Sequence, residues 1–203
     1  MPTSGLVMYH SLATVSLTPE IGSNFNLTGS SPTATKEDGI SCLLFNNGGY
    51  SQINQSYWNE SSPIVTMSIW GKCLNTLNAG AFAAGKWVTN NAFEIMKQEF
   101  WKCVSTAGNI DASTDIDITK WHHVCITLDK PNVKLYIDGT LIGSTTLSIN
   151  LTNWVAIGAN FKGYDRIPRD SWFYGYLAAA RIYNRVLTDD EIAALASEFT
   201  PTT

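Results

Sequence analysis

Short β-type segments separated by turn residues fill most of this chain and constrain its fold more than any other feature. Turn signals lie between them, among them Asn47-Gly48-Gly49, Lys130-Pro131-Asn132 and Asp138-Gly139. The β-type runs are GLVMYHSL, GISCLLFN, YSQI, VTMSIWGKC, GAFAAGKW, AFEIMKQ, FWKCVSTA, WHHVCITLD, VKLYIDG, TLIGSTTL, WVAIGANF and YLAAARIYN. Many short strands at this spacing predict an all-β sandwich or barrel. The polar stretch 22–38 predicts a loop.

The segment WHHVCITLDKPNVKLYIDGTLIG, residues 121–143, contains two adjacent histidines that belong either to a site or to the scaffold. Alternate residues of a strand face opposite sides, so His122 and His123 point in opposite directions and cannot chelate one ion together. Asp138-Gly139 is typical of a type I′ hairpin turn, in which both positions need a positive φ. We therefore interpret the segment as scaffold, with satisfied histidines and with Asp138 as a turn residue.

One short helix is predicted near residues 188–198. Thr188 and Glu191 have the spacing of a capping box, in which each side chain accepts a hydrogen bond from the backbone of the other residue. An apolar stripe suited to packing on a sheet follows, formed by Ile192, Leu195, Ala196 and Phe199.

The composition excludes several classes of function. Charged residues make up 15% of the chain and the net charge is -4, so no basic surface for nucleic acid is expected. No apolar run reaches the roughly 18–20 residues of a membrane span. The first Lys or Arg is Lys36, so the N-terminus lacks the basic region of a signal peptide.

The cysteines lie in apolar or alternating segments and have no CxxC spacing. We interpret all of them as free and buried. Disulfides, which need an oxidising compartment, are the alternative. The residues concerned are Cys42, Cys73, Cys103 and Cys125.

Four stretches, in this order, resemble the laminin-G-like branch of the concanavalin A-like lectin/glucanase superfamily. They are GLVMYHSL, then GISCLLFNNGGYSQI with VTMSIWGKC, then WHHVCITLDKPNVKLYIDGTLIGS, and FYGYLAAARIYNRVLTDDEIAAL. The resemblance implies one domain over 1–203, with a core at 5–199. It implies a two-sheet antiparallel jelly-roll sandwich with one short C-terminal helix. It implies no single function, because the superfamily includes lectins, adhesion modules, structural domains and glycosidases.

The acidic residues do not form the pattern that glycoside hydrolysis needs. Retaining enzymes hold two carboxyl groups roughly 5–5.5 Å apart. Glu94 and Glu99 fall on opposite faces of a continuous strand, and the stretch with Asp115 and Asp117 is typical of a loop. We therefore assign no catalytic residue, and a glycoside hydrolase is kept as an alternative.

The resemblance raises the possibility of a calcium site, because many relatives bind one calcium ion. Relatives usually have an acidic pair in the final strand, where this chain has Ala178 and Ala179. A site that relies on those acids is therefore not expected, and we assign no metal ligand and no cofactor. Calcium bound by Asp111, Asp115 and Asp117 is the alternative.

Aromatic and arginine residues are concentrated in NFKGYDRIPRDSWFYG, residues 160–175. Aromatic rings stack on sugars, and arginine binds hydroxyl or acidic groups. On an extended backbone Trp172 and Tyr174 share a face, while Phe173 points into the core. Burial of this loop over the core is the alternative, and residues 48–62 are a second candidate. The predicted ligand-binding residues are Tyr164, Arg166, Arg169, Trp172 and Tyr174.

The opening Gly-Leu-Val-x-Tyr-x-x-Leu after the first Met also resembles phage virion proteins of this fold. We therefore expect a non-enzymatic module of a virion surface or tail appendage. It would bind cell-surface glycan or polysaccharide, or act as a structural unit beside other virion proteins. A secreted bacterial glycan-binding or adhesion module, located outside the cell, is the alternative. Nucleic acid binding and membrane insertion are not expected.

Overall fold

The computed structural model describes residues 1–46, 48–53, 55, 57–75, 79–85, 92–97, 99–105, 107–112, 115–159 and 172–202. The strands are β1 Leu6–His10, β2 Asn26–Thr28, β3 Thr33–Glu37, β4 Ile40–Phe45, β5 Tyr50–Ile53, β6 Ile64–Cys73, β7 Ala79–Gly85, β8 Ala92–Lys97, β9 Trp101–Ser105, β10 Gly108–Asp111, β11 His122–Asp129, β12 Asn132–Ile137, β13 Thr140–Thr146, β14 Val155–Ile157 and β15 Gly175–Tyr183. The helix α1 spans Asp189–Ala196.

The strands form two sheets in which the named pairs are antiparallel. The eight-stranded sheet has the order β13-β12-β11-β6-β15-β4-β3, with β1 also paired to β15. The seven-stranded sheet has the order β10-β9-β8-β7-β14-β5-β2. The main core lies between them, and Val124, Ile126 and Leu128 of β11 belong to it. The predicted all-β sandwich with one short helix is thus confirmed.

Three short strands were not predicted. The polar stretch 22–38, expected as a loop, contains β2 and β3, and β10 follows the hairpin from β9. Each of these three strands ends the order of its sheet, so it has one neighbour. The residues of β3 are exposed or only partly buried. Edge strands of this kind need no apolar alternation, which is why the sequence pattern missed them.

The hairpin from β12 to β13 turns where the sequence predicted. Asp138 has a φ of 50° and Gly139 a φ of 78°, as a type I′ turn requires. His123 is not the satisfied histidine that the sequence predicted. His123 is fully buried, but neither of its ring nitrogens has a hydrogen-bond partner in the described part of the chain. It is therefore buried without being satisfied.

The helix α1 packs on the outer side of the eight-stranded sheet, where it meets Cys125 and Tyr136. The predicted capping box is present: the Glu191 N–H donates to Thr188 Oγ1 over 3.2 Å, and the Thr188 N–H donates to the Glu191 carboxylate over 2.9 Å. Arg185 also binds Glu191 and helps to lower the pKa of that carboxyl to about 2. These contacts fix the start of the helix.

All of the cysteines are free and buried, as predicted. Burial raises the pKa of Cys42 to about 11 and that of Cys73 to about 12. It also raises the pKa of Cys103 and of Cys125. These thiols are therefore protonated near neutral pH and poorly reactive in the folded protein.

Candidate functional site

The chain crosses from one sheet to the other at residues 172–175. Trp172 forms bridges with Gly80 and Ala159 on the seven-stranded sheet. Gly175 begins β15, in the eight-stranded sheet. Tyr174, between these two points, therefore lies on the rim where the sheets meet. It is 39% exposed.

Phe173 divides this crossing into an inner and an outer side. It is 1% exposed and stacks on Trp101 with ring centroids 6.2 Å apart. Adjacent side chains of an extended segment alternate, so Trp172 and Tyr174 point away from the core. The predicted burial of Phe173 is confirmed.

Trp172 is partly buried and rests on a glycine of the second candidate segment. A Cβ atom on Gly48 would lie 1.9 Å from Cζ3 of the Trp172 ring, and Gly48 has a φ of +71°. Only glycine accommodates both the close approach and the backbone conformation. The indole Nε1 of Trp172 has no hydrogen-bond partner among the described residues.

A second indole lies on the outer face of the same sheet. Ala83 of β7 and Ala156 of β14 are opposite each other in the register. Both are fully buried, and the partly buried Trp154 packs against them. Glu94 of β8 is opposite Ala83 and is also fully buried. Trp154, Ala83 and Ala156 were not predicted as part of a site, although the small residues of GAFAAG are a signal for a closely approached face.

The two indoles lie toward opposite ends of β14. Trp154 immediately precedes the strand, and Trp172 bridges Ala159 just beyond its end. At roughly 3.4 Å per residue, five residues of extended chain separate these positions by about 17 Å. Together with Tyr174 on the adjoining rim, they form a row of partly exposed aromatic side chains, which we call the aromatic row.

The acidic residues of the seven-stranded sheet are far apart. Glu94 is opposite Val104, which is opposite Asn109, and Asp111 lies two residues further along β10. Two strand spacings and two residues place the Cα atoms of Glu94 and Asp111 about 12 Å apart. Glu99 is exposed in the bend after β8 and is not on the strand.

The acidic stretch before Trp121 forms turns. The Asp117 Oδ1 atom accepts hydrogen bonds from the backbone N–H of Thr119 over 3.0 Å and from its hydroxyl over 2.6 Å. These hydrogen bonds lower the pKa of Asp117. Within the described ranges, no three His, Cys, Asp or Glu side chains are grouped so that they would hold a metal ion. The expectation that the chain has no calcium site, and the alternative site at Asp111, Asp115 and Asp117, both stay predictions.

Three of the predicted ligand-binding residues, Tyr164, Arg166 and Arg169, lie outside the described residues. The structure therefore places only Trp172 and Tyr174 of the predicted set. Their role in binding stays a prediction.

Part of the second candidate segment lines a cleft of about 570 Å³ together with Val7, Ile64 and Asn184; its lining residues are Tyr57, Trp58, Asn59 and Ser62. The polar atoms of the two aromatic residues there form hydrogen bonds within the protein. The Trp58 indole N–H donates to the carbonyl oxygen of Leu151 over 3.1 Å, and the Tyr57 hydroxyl accepts from the Ser23 N–H over 3.3 Å. None of the helices in the described ranges is long and apolar enough to cross a membrane.

Comparison with known proteins connects this geometry to a family. A laminin G-type family model, described as concanavalin A-like lectin/glucanases superfamily, matches residues 45–193. No curated protein sequence matches the chain significantly.

Solved structures with the same fold are numerous. Domain 4 of AbnA, a GH43 extracellular arabinanase from Geobacillus stearothermophilus, in complex with arabinotriose, has a TM-score of 0.75 at 19% identity; the match covers 97% of this chain and 100% of that one. The receptor binding domain of botulinum neurotoxin C/D mosaic serotype has a TM-score of 0.70 at 13% identity, over 95% of this chain and 51% of that one. The binding domain of Paraclostridial Mosquitocidal Protein 1 has a TM-score of 0.68 at 18% identity, over 95% of this chain and 52% of that one. The chain thus spans about half the length of the toxin domains, and these similarities establish the fold alone.

Proposed function

Because the chain belongs to the concanavalin A-like lectin/glucanase superfamily, we propose that residues 1–203 are one non-enzymatic glycan-binding domain. We place it on a virion surface or tail appendage, where it binds cell-surface polysaccharide. The observation that carries the binding role is the aromatic row, formed by Trp154 and Trp172 on the outer side of the seven-stranded sheet and by Tyr174 on the adjoining rim.

The geometry of this row favours an oligosaccharide over a single sugar. Trp154 and Trp172 are separated by about 17 Å along β14, which is more than one sugar ring can bridge. Their partly buried indoles are held in place, Trp154 by the alanine pair and Trp172 by Gly48. A rigid aromatic face loses little conformational entropy when it binds a ligand. Domain 4 of the arabinanase, a domain of the same fold, was solved with arabinotriose, which supports the same class of ligand here.

The non-enzymatic part of the proposal rests on the carboxylate positions. Retaining hydrolysis needs two carboxyls roughly 5–5.5 Å apart and inverting hydrolysis roughly 6.5–9.5 Å. The Cα atoms of Glu94 and Asp111 are about 12 Å apart. Their side chains extend from the same face in parallel, so their carboxyl groups are held farther apart than either mechanism needs. Sustained hydrolysis of arabinan or laminarin that is abolished by Glu94→Gln, or by changing Asp115 or Asp117, would contradict this part.

A secreted bacterial module is the second candidate for the cellular context. It is supported by the similar domain of an extracellular arabinanase. The four free cysteines favour the virion proposal, because phage virion proteins are made in the cytoplasm, where thiols are kept reduced. Mass spectrometry of purified virions and of the culture medium distinguishes the two.

The binding role is tested by Trp172→Ala. After a glycan array has identified an oligosaccharide, we expect this change to weaken its binding by about 1–3 kcal/mol, the range of an aromatic anchor. The indole is also packed on Gly48, so some loss of stability is expected, smaller than the about 3–5 kcal/mol of a fully buried tryptophan.

Tyr57→Ala is the matched control for this experiment. Tyr57 is also a partly buried aromatic residue, but it lies in the cleft near Val7 and Asn184. If the aromatic row is the site, Tyr57→Ala should lower the melting temperature without affecting the binding of the oligosaccharide, whereas lost binding would point to the second candidate segment. Unchanged affinity in Trp172→Ala, together with a large fall in melting temperature, would remove the aromatic row as the binding site.

A further inference from the structure

The outer face of the eight-stranded sheet contains a group of buried polar side chains, which we call the polar cluster. It consists of Ser68 and Trp70 on β6, His123 on β11 and Arg181 on β15. The register places Ser68 opposite Arg181 and Trp70 opposite His123, so the four residues are neighbours. None of them is more than 3% exposed.

Most hydrogen-bonding capacity in the polar cluster is unused. Ser68 Oγ, Trp70 Nε1, Arg181 Nε and both ring nitrogens of His123 have no partner among the described residues. Buried polar atoms are almost always paired, and each unpaired one costs about 1–3 kcal/mol. The indole, the guanidinium and the hydroxyl are donors, so the missing partners are mainly hydrogen-bond acceptors.

The polar cluster is covered by residues 197–202, which follow α1 and which we call the C-terminal strap. One Glu198 oxygen accepts from Arg181 Nη2 over 2.7 Å. The Phe199 ring meets the Trp70 ring edge-on, with centroids 5.5 Å apart. The strap is also tied down by the Thr202 N–H, which donates to the carbonyl oxygen of Asp38 over 2.9 Å.

The strap is an incomplete partner for the face that it covers. Glu198 uses one carboxylate oxygen, while its Oε2 atom and the Arg181 Nε have no partner in the described part of the chain. Arg181 Nη1 donates to the carbonyl oxygen of Ala179 over 3.4 Å, so the guanidinium meets the carboxylate through Nη2 alone, although its geometry allows two parallel hydrogen bonds to a carboxylate. A ligand that offers a carboxylate and several hydroxyl oxygens would pair more of these groups than Glu198 does.

Aromatic rings surround the polar cluster. The Arg181 guanidinium carbon lies 4.5 Å from the centroid of the Tyr9 ring, and the Trp121 and Tyr176 centroids are 6.3 Å apart. Next to them, a cleft of about 400 Å³ opens between Trp121 and two strap residues, Pro201 and Thr202. Aromatic faces with a nearby cation suit sugar rings that bear an acidic group.

We propose that this face is a second ligand site, specific for acidic oligosaccharides, and that the C-terminal strap closes it. The carboxylate of the sugar replaces Glu198 on Arg181, and the sugar ring replaces Phe199 on Trp70. This site is on the sheet opposite to the one that carries Trp172, so it does not rest on the function proposed above.

The test uses the full chain with Glu198→Gln and Phe199→Ala combined, and a galacturonic acid tetramer as the probe. Weakening the strap raises the fraction of open protein, and the apparent affinity rises with it. We expect the acidic tetramer to bind the double variant about tenfold more tightly than it binds the unaltered chain, which corresponds to about 1.4 kcal/mol. A neutral galactose tetramer, the matched probe, should show no such gain.

Two further variants assign the gain to this face. Arg181→Lys in the strap variant should abolish it, because lysine keeps the charge but lacks the planar fork that binds a carboxylate. Trp172→Ala in the same background should leave it unchanged, which separates this site from the aromatic row. An equal gain for the neutral tetramer, or a gain that survives Arg181→Lys, overturns the proposal.

Glu198→Gln alone covers the case in which the double variant does not fold. It keeps Phe199 and the size of the side chain, so a smaller gain of about threefold is expected. A folded single or double variant, judged by its circular dichroism and cooperative melting, that binds the acidic tetramer no better than the unaltered chain also overturns the proposal.

Discussion

His122 is expected to stabilise the fold in a pH-dependent way, and His122→Gln tests this. Its Nδ1 atom lies 2.7 Å from the Asp138 carboxylate and its Nε2 atom lies 3.0 Å from the carbonyl oxygen of Asp117. Both partners are acceptors only, so both ring nitrogens must carry a proton for both hydrogen bonds to form. The imidazolium satisfies this arrangement, whereas the neutral ring leaves one contact without a proton.

The direction of the effect follows from this geometry. Burial by itself would lower the pKa of His122, but the hydrogen bond and the negative charge of Asp138 outweigh it, and the pKa is raised above the ordinary value. A group whose pKa is raised by folding stabilises the protein fully below the pKa of the unfolded chain. That contribution is lost as the pH rises through the folded pKa.

The magnitude follows from the two hydrogen bonds. Bonds to a charged group are worth about 1.5–3 kcal/mol each when buried. The Asp138 side chain is 48% exposed, so solvent screening reduces the sum to about 1–2 kcal/mol. Above the folded pKa one neutral hydrogen bond remains, worth about 0.5–1 kcal/mol. The cost of His122→Gln should therefore fall by about 1 kcal/mol between pH 5 and pH 8.5.

Urea unfolding of the unaltered chain and of His122→Gln at several pH values measures this difference. Asp138→Asn is the matched control, because asparagine tolerates the positive φ and still accepts from the His123 N–H while it removes the charge. NMR titration of the ring protons gives the pKa of each histidine directly. A His122 pKa at or below 6.5, or a cost that does not change with pH, would refute the argument.

Three further experiments test the packing of the core. Thiol titration should detect about four groups in denaturant without reductant and few in the native protein; loss of thiols after denaturation would indicate disulfides. Phe173→Ala should destabilise the protein by about 3–5 kcal/mol, whereas Tyr174→Ala should stay within about 0.5 kcal/mol, as measured by urea unfolding; similar values would contradict the assigned inner and outer sides. Gly71→Ala should cost about 1–3 kcal/mol in the same assay, because its Cβ would lie 2.6 Å from the Trp101 ring; a neutral result would mean that Trp101 has room to move.

Local patterns predicted most of the scaffold from the sequence. Alternation and turn residues predicted the strands of the core and the positive φ of Asp138. The side chains of Thr188 and Glu191 predicted the start of α1. The edge strands β2, β3 and β10 were missed because each is short, pairs with one neighbouring strand and lacks a sustained apolar alternation.

The candidate sites could be predicted only where their residues are consecutive. The alternation of Trp172, Phe173 and Tyr174 follows from one extended segment. Trp154 and Ala83 meet because β7 and β14 are neighbours, and this pairing joins residues far apart in sequence. The sequence contains no local signal for such a contact, since the partner of a strand is selected by the whole fold.

The two adjacent histidines illustrate how one strand serves two different environments. Strand alternation directs His122 toward the Asp117 and Asp138 side of the hairpin, while His123 lies under the C-terminal strap near Arg181. Burial and the positive charge of Arg181 lower the pKa of His123 to about 3, whereas the pKa of His122 is raised. Near pH 5 the first ring is charged and the second is neutral, although their surroundings in sequence are the same. The difference arises from the layer that covers each face. Among the described residues the neutral His123 ring has no hydrogen-bond partner, and this property beside Arg181 is what the proposed second site uses.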